Sequence, residues 1–320
     1  MTIKKNRMKM NLQLFAQTFN PDNVLLMDAK TGKVPTEQGT LVLKEFMTNS
    51  VVAQLAKPEP MTKPVKEFTY LAEGPGAYWI SEAERIQTSK AKWLTAKMEA
   101  KKLGVILPVS EEFLRYTVTD FFNQMRPAIA EAFYTKFDQA ALFGVNSPYA
   151  VDTSVWEKIV KSGNKVEQGS TKNLYTDLNS LLALVEDGDS DPNGFTTTKR
   201  FRKDLRGVLD ENGRPIFNDV KQGATADALG LPIGYANGKS WDYTKANLIT
   251  GDWDYARYGI LQGIEYSISE DATLTTIVDE DGKPINLFER DMFALRATMY
   301  IGFMTLKEDA FAALVPKAGE

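Results

Sequence analysis

Residues 91–100 alternate between apolar and polar side chains, and no other segment constrains the fold as strongly. One face of this segment carries Leu94, Ala96, Met98 and Ala100, and the other carries Trp93, Thr95, Lys97 and Glu99. A period of two is typical of a β-strand with one wetter face. The preceding AYWISEAERI predicts the partner strand, and QTSK predicts the tip between the two strands. Because a two-stranded ribbon about 30 Å long is at best marginally stable alone, we expect it to dock on another surface.

A long proline-punctuated segment, residues 20–63, precedes the ribbon. Its apolar residues recur at roughly helical spacing and predict a helix at about 39–56. These residues are Leu43, Phe46, Met47 and Val51. The remainder is extended and poor in core-forming side chains, so we expect this arm to pack on something else.

The strongest helical pattern begins after the ribbon and a short buried strand, LGVILPVS. Ser110 followed by two glutamates is a helix-start signal, and Gly144 is a helix-end signal. Between them, apolar residues recur every three or four positions. They are Phe121, Phe122, Met125, Ile129, Ala132, Phe133, Phe137, Ala140 and Ala141. Since Pro127 cannot donate a helical hydrogen bond, we expect one long helix that is kinked or restarted near Arg126.

Helical and strand patterns alternate between Leu174 and about Gly263. YTDLNSLLALVED and TTTKRFRKDLRGVL predict helices, LITGDW predicts a strand, and DENGRPIF predicts a hairpin turn. Near the end of the chain, MFALRATMYIGFM predicts a long strand with one apolar face. That face consists of Phe293, Leu295, Ala297, Met299, Ile301 and Phe303.

Two residue types are missing, and their absence excludes many functions. The chain has no cysteine, which excludes disulfides, zinc–thiolate sites, iron–sulfur clusters and thiol nucleophiles, and fits a reducing cytoplasm. It has no histidine either, which removes the commonest general base and the Ser-His-Asp triad. We therefore predict no catalytic, cofactor-binding or metal-binding residues. The net charge of −4 gives no general reason to bind nucleic acid or an anionic membrane.

Two short motifs resemble ligand-binding loops, and neither is complete. Gly74-Pro75-Gly76 lacks the third glycine of a phosphate-binding loop because Trp79 stands there, so a turn into a strand is favoured. Asp189-x-Asp191-x-Asn193 matches the first half of a calcium loop, but Arg200 occupies the position of the required glutamate. A helix-terminating acidic turn is the favoured interpretation of the second motif.

A basic cluster follows this turn and consists of Lys199, Arg200, Arg202, Lys203 and Arg206. It has no interleaved exposed aromatic residues and is accompanied by Asp204 and Asp210, so a solvated helix face is favoured over a nucleic-acid site. Glu82, Glu84 and Glu99 are similarly interpreted as cross-strand partners of Arg85, Lys90 and Lys97.

Taken in order, these parts resemble the HK97-fold major capsid proteins of tailed bacteriophages. The resemblance rests on the basic start, the arm, the ribbon, GVILPVSEEFL, AEAFYTKFDQAALFG and the closing NLFERDMFALRATMYIGFMTLKEDAFAALVP. More narrowly, MNLQLFA, FNPDNV, PGAYWISEAERIQTSKAKW and ITGDWD resemble capsid proteins of siphophages of Gram-positive, staphylococcal-like hosts. The similarity extends from about Met10 to Pro316.

The resemblance implies an α+β, HK97-like phage capsid fold with an N-terminal arm, an extended E-loop hairpin, a P domain with a long spine helix, and an A domain. The implied division is a basic N-terminal segment at 1–19, the arm at 20–63, the E-loop at 64–103, the P domain at 104–170 and 264–320, and the A domain at 171–263. The spine helix is expected at about 119–143.

The resemblance also implies a non-enzymatic subunit that self-assembles into hexamers and pentamers of an icosahedral shell enclosing double-stranded DNA. Such a subunit belongs to the virion and assembles in the host bacterial cytoplasm. Implied partners are copies of itself, a separate scaffolding protein, a portal protein, a prohead protease, a decoration protein, and DNA through weak non-specific contact. The alternatives are an encapsulin-type nanocompartment shell, which encloses enzymes, and a histidine-free soluble enzyme.

Two sets of site residues follow as expectations. Proteolytic removal of the basic segment is expected to cut at Phe15 and Ala16. Contacts between subunits are expected along the E-loop, through Tyr78, Trp79, Glu82, Arg85, Lys90, Lys92 and Trp93. Lys90 and Lys92 also lie where some members of the family crosslink, although lysines there equally serve solubility.

Overall fold

The computed structural model describes residues 36–73, 85, 92–171, 173–208, 227–278 and 282–317. The basic N-terminal segment, the expected cleavage site at Phe15 and Ala16, and the predicted hairpin DENGRPIF lie outside the described residues. No helix in the described part of the chain is long and apolar enough to cross a membrane.

The described part of the chain contains both helices and strands. The helices are α1 (Thr36–Asn49), α2 (Val51–Leu55), α3 (Glu111–Phe143), α4 (Val155–Ser162), α5 (Leu174–Glu186) and α6 (Arg202–Arg206). The strands are β1 (Lys57–Pro58), β2 (Val65–Glu73), β3 (Lys92–Ser110), β4 (Lys165–Glu167), β5 (Gly194–Thr198), β6 (Asp227–Ala228), β7 (Leu231–Ala236), β8 (Leu248–Gly251), β9 (Ala256–Ser269), β10 (Thr273–Val278), β11 (Pro284–Asn286), β12 (Met292–Thr305) and β13 (Phe311–Val315).

The chain divides into two compact units. The smaller unit comprises Met1–Gln38, Ile106–Met125 and Tyr266–Arg296. The larger unit comprises Gly39–Val105, Arg126–Glu265 and Ala297–Glu320.

The ribbon strand forms part of a five-stranded sheet with the order β1-β9-β12-β3-β2. Its antiparallel partner is β2, in a register that runs from Val65 opposite Glu99 to Glu73 opposite Lys92. The predicted partner, residues 77–86, lies outside the described residues apart from Arg85, and the partner that the structure describes is β2. The segment VKEFTYLAE supplies the partner because its β-branched and aromatic residues suit a strand.

The predicted alternation along the ribbon strand is confirmed. Trp93, Thr95, Lys97 and Glu99 are exposed, whereas Met98 is completely buried. The expected short buried strand at 103–110 is instead the end of the same strand, and it is only partly covered, with Ile106 exposed.

Helix α3 is the long helix that the sequence predicts. It starts directly after Ser110, continues through Pro127 as one element, and ends before Gly144. Gly144 has a φ of +66°, a left-handed conformation that favours glycine. The predicted stripe is buried at Ile129, Phe133, Phe137, Ala140 and Ala141, but Ala132 is exposed and Asp138 is buried beside the stripe.

A six-stranded mixed sheet has the order β4-β13-β8-β5-β7-β6. Strand β8 is antiparallel to both of its neighbours, β13 and β5, and β5 is parallel to β7. Leu178, Leu181 and Val185 of α5 form one hydrophobic cluster with side chains of this sheet. Residues Thr196–Thr198, predicted to be helical, belong to β5, because three consecutive β-branched residues favour an extended strand.

Strand β12 confirms the predicted apolar face, since all six of its odd-numbered apolar residues from Phe293 to Phe303 are buried. Within the smaller unit, β10 pairs with β11, and Leu274, Leu287 and Ala294 form a separate small core.

Candidate functional site

The candidate contact surface is the outer face of the β2–β3 ribbon. Trp93 is 62% exposed on this face, next to the end of the described ribbon, where Lys92 pairs with Glu73. Arg85 is exposed as well. The other predicted contact residues, Tyr78, Trp79, Glu82 and Lys90, lie outside the described residues.

Charged side chains lie farther along the same face of the ribbon as Trp93. Lys97 forms an ion pair with Glu67 of the neighbouring strand at 3.0 Å, whereas Glu99 pairs with Lys101 of its own strand. The hydrogen bond from Lys101 lowers the pKa of Glu99. Sequence reasoning expected charge pairs on the ribbon but did not identify these two, since it did not recognise β2 as a partner strand. Exposed pairs of this kind contribute little stability, so the face remains open to competing partners.

The inner face of the ribbon is firmly anchored. Met98 packs with Met61 and Met304, and Phe68 of β2 lies against this cluster. A Cβ atom on Gly259 would lie 2.7 Å from the Met98 methyl group, so the backbone of β9 approaches the cluster as closely as glycine allows. The inner face of the ribbon is thus packed on its own chain, whereas the outer face is exposed.

The arm is held by a buried hydrogen-bond cluster at Asp138 on α3. The Ser50 hydroxyl donates to one oxygen of this carboxyl group at 2.6 Å, and the N–H groups of Val51 and Val52 donate at 3.2 and 3.4 Å. Phe46 packs on Phe137 with ring centroids 5.6 Å apart. Burial, opposed by these hydrogen bonds, raises the pKa of Asp138 to about 7.

The expectation for the arm therefore needs correction. The predicted single helix is two helices, separated at Ser50, whose side chain caps the second one. This part of the arm packs on its own chain, and Arg126 donates to Glu45 at 2.8 Å. Sequence reasoning missed Asp138 because a carboxylate within a helix is normally read as a surface residue.

The acidic turn after α5 binds the side chain of a lysine from a later part of the chain, Lys307. The Lys307 ammonium donates to the carbonyl oxygens of Gly188 and Asp189 at 2.6 and 2.9 Å, and to the Ser190 hydroxyl at 2.8 Å. Within the described residues, no group of three or more acidic side chains could hold a metal ion. The favoured helix-terminating turn is confirmed, since α5 ends at Glu186.

The side chains of the basic cluster are not all free in solvent, because two of its arginines stack on aromatic rings. Its guanidinium groups lie over two tyrosine rings: Arg202 is 3.9 Å from the ring centroid of Tyr235, and Arg200 is 5.1 Å from that of Tyr243. Both aromatic residues come from distant parts of the sequence, so a local motif could not reveal them. Such contacts fix the directions of otherwise flexible side chains.

Comparison with known proteins gives a consistent result. The sequence model of the phage capsid family matches residues 32–315. The major capsid protein of Staphylococcus phage 80alpha is 44% identical, over 97% of this chain and 95% of that protein. A probable major capsid protein of Mycobacterium phage D29 is 24% identical, over 88% and 90% of the two chains.

Solved structures agree with the sequence comparisons. A chain from Microbacterium phage Oxtober96 has a TM-score of 0.73 and 27% identity, over 84% of this chain and 91% of its own. A chain from Mycobacterium phage Cain has a TM-score of 0.72 and 23% identity, over 85% and 92%. The HK97-like fold expected from the sequence is thereby confirmed, and the chain belongs to the phage capsid family.

Proposed function

We propose that this chain is the major capsid subunit of a tailed phage, which assembles into hexamers and pentamers of an icosahedral shell around double-stranded DNA. The observation that carries the proposal is the ribbon, whose inner face is anchored on Met98 while its outer face exposes Trp93. A large exposed aromatic side chain on a fixed strand is a typical anchor for a protein partner. The role is structural rather than catalytic, and its place is the virion, after assembly in the host cytoplasm.

The expected E-loop residues serve as the contacts between subunits in this proposal. Burying the exposed part of Trp93, roughly 100–150 Å², would contribute about 3 kcal/mol per contact. Contacts of this strength, repeated by symmetry, close a shell while single errors can still dissociate. The remaining partners in the proposal are a separate scaffolding protein, a portal protein, a prohead protease that cuts at Phe15 and Ala16, a decoration protein and weakly bound DNA.

The proposed domains keep the boundaries expected from the sequence: an arm at 20–63, an E-loop at 64–103, a P domain at 104–170 and 264–320, and an A domain at 171–263. The long helix α3 within the P domain range supports the spine assignment.

The test is assembly of the full chain carrying Trp93→Ala, compared with Tyr175→Ala, which truncates another partly exposed aromatic side chain. The Trp93 variant should fold normally but give few shells in electron micrographs, whereas the Tyr175 variant should assemble normally. Normal shells from the Trp93 variant would refute the assignment of the ribbon. DNA in particles from infected cells, rather than a cargo enzyme, separates the capsid from a nanocompartment.

A further inference from the structure

The six-stranded sheet carries opposite charges at its two ends. Strands β5 and β8 run antiparallel, with Gly194 opposite Gly251 and Thr197 opposite Leu248. Strand β5 follows the acidic turn, residues 186–191, and leads directly into Lys199. At about 3.3 Å per residue, this five-residue strand separates the two ends by roughly 16 Å.

One end, which we call the basic end, gathers exposed cations from different parts of the chain. They are Lys199, Arg200, Lys203, Arg206 and Lys317. Lys317 joins them because β13 is antiparallel to β8 and finishes where β8 begins. A cleft of about 680 Å³ opens here, lined by Arg200, Lys203 and Lys317 and, among the described residues, by Asp204 as its single acid.

Within the described part of the chain, the cations of the basic end outnumber the acids beside them, since Asp204 is the one acid that lines the cleft. The ion pairs described there do not involve Lys199, Arg200 or Lys203. Because exposed cations outnumber acids here, this end is suited to meet a surface that carries negative charge.

The other end, the acidic end, exposes carboxylates on the turn and on the adjoining strand ends. They are Glu186, Asp187, Asp189, Asp191, Asp254 and Asp309. A Cβ atom on Gly188 would lie 2.9 Å from that of Asp309, which places the turn against the start of β13. Since Lys307 bonds the carbonyl groups and Ser190 of this turn, the carboxylates remain directed at solvent.

We infer that the basic end of one subunit receives the acidic end of a neighbouring copy, in a head-to-tail contact along the strand direction of the sheet. This inference rests on the proposed function and names the surfaces that join subunits within a ring. A phosphate polymer would satisfy only the basic end, whereas a second copy of the chain satisfies both ends at once. Head-to-tail contacts close into rings when the rotation permits, and complementary charge accelerates association.

Charge reversal tests the contact because it makes both ends alike. Replacing Lys199, Arg200, Lys203 and Arg206 by Glu leaves Lys317 as the one cation of the basic end and gives a subunit with two acidic ends. Replacing Glu186, Asp187, Asp189 and Asp191 by Lys leaves only Asp254 and Asp309 at the acidic end and gives a subunit with two basic ends. Each alone should assemble about tenfold more slowly or worse in light scattering, because like charges would face each other. An equimolar mixture should recover hexamers, since the two variants can alternate around a ring of six, whereas pentamers cannot recover because five subunits cannot alternate.

Control variants exclude trivial explanations. Lys44→Glu with Lys136→Glu reverses two exposed lysines outside both ends and should assemble like the unaltered chain. Circular dichroism and urea unfolding show whether each variant folds. Should a reversal unfold the chain, neutral Gln or Asn at the same eight positions replaces it. Assembly should then lose most of its dependence on salt around 0.1 M, where the screening length is about 10 Å.

The outcomes separate this inference from the proposed function. If the unaltered chain forms shells and both reversal variants assemble equally well, the head-to-tail contact is wrong while the capsid role stands. Two defective variants whose equimolar mixture forms no hexamers also overturn it. If the acidic variant assembles normally but loses binding to a double-stranded DNA oligonucleotide, the basic end is a nucleic-acid site instead. If the unaltered chain forms no shell, the proposed function itself fails.

Discussion

The buried carboxyl group of Asp138 makes the attachment of the arm to α3 sensitive to pH. It is completely buried and accepts hydrogen bonds from the Ser50 hydroxyl and from the N–H groups of Val51 and Val52. Burial has the larger effect and raises its pKa from 3.8 to about 7, although the hydrogen bonds oppose the shift.

The sign of the effect on stability follows from proton uptake. Because the pKa is higher in the folded chain, the folded chain binds more protons between the two pKa values. The contribution of Asp138 is therefore complete below about pH 4, falls by about 1.4 kcal/mol per pH unit, and levels off above about pH 7. Between about pH 5 and 7 the free energy of unfolding should drop by about 2 kcal/mol.

Asp138→Asn isolates this effect. The amide keeps the shape of the side chain, its oxygen can accept from Val51 or Val52, and its NH₂ group can donate to the Ser50 hydroxyl. Urea unfolding of the unassembled full chain at about pH 5, 7 and 8 should show a smaller loss of stability for the variant than for the unaltered chain. Asp254→Asn, which removes an exposed carboxylate, should keep the full loss. Equal pH dependence in the unaltered chain and Asp138→Asn would refute the reasoning.

Three further predictions concern single positions. A Cβ atom on Gly251 would lie 2.4 Å from the Ala310 carbonyl oxygen, so Gly251→Ala should lower the free energy of unfolding in urea by about 3 kcal/mol. A Cβ atom on Gly263 would meet nothing closer than 3.8 Å, so Gly263→Ala should change this free energy by less than about 1 kcal/mol. Lys307→Met should cost about 2 kcal/mol by removing three hydrogen bonds from the acidic turn, and unchanged hydrogen exchange of that turn would contradict this. Gly144→Ala should cost about 1–2 kcal/mol because its φ is +66°, and an unchanged melting temperature would show that the position tolerates a side chain.

Segments with a strong period could be predicted from the sequence. The alternation of β12 and of the ribbon, and the three-to-four spacing of α3 with its glycine end, report burial directly along one element. The start of α3 at Glu111 also agrees with the signal at Ser110, whereas the family-based expectation placed it at about 119.

Features that depend on contacts between distant segments could not be predicted. The partner of the ribbon strand is set by packing of Phe68 against the Met98 cluster, and local propensity did not distinguish β2 from residues 77–86. Thr196–Thr198 pair with β7 on one side, and β8 pairs with the same strand on the other. This pairing within the sheet outweighs the helical propensity that the sequence pattern assigned to these residues. The stacking of Arg202 on Tyr235 likewise exists only once the sheet has formed.

The measurement that tests the central claim most directly is electron microscopy, combined with sedimentation, of the purified full chain with a co-expressed scaffolding protein. A subunit whose ribbon exposes Trp93 and whose sheet carries opposite charges at its ends should form capsomers and closed shells of uniform diameter. A stable 35.7 kDa monomer at every concentration and salt condition would contradict the account.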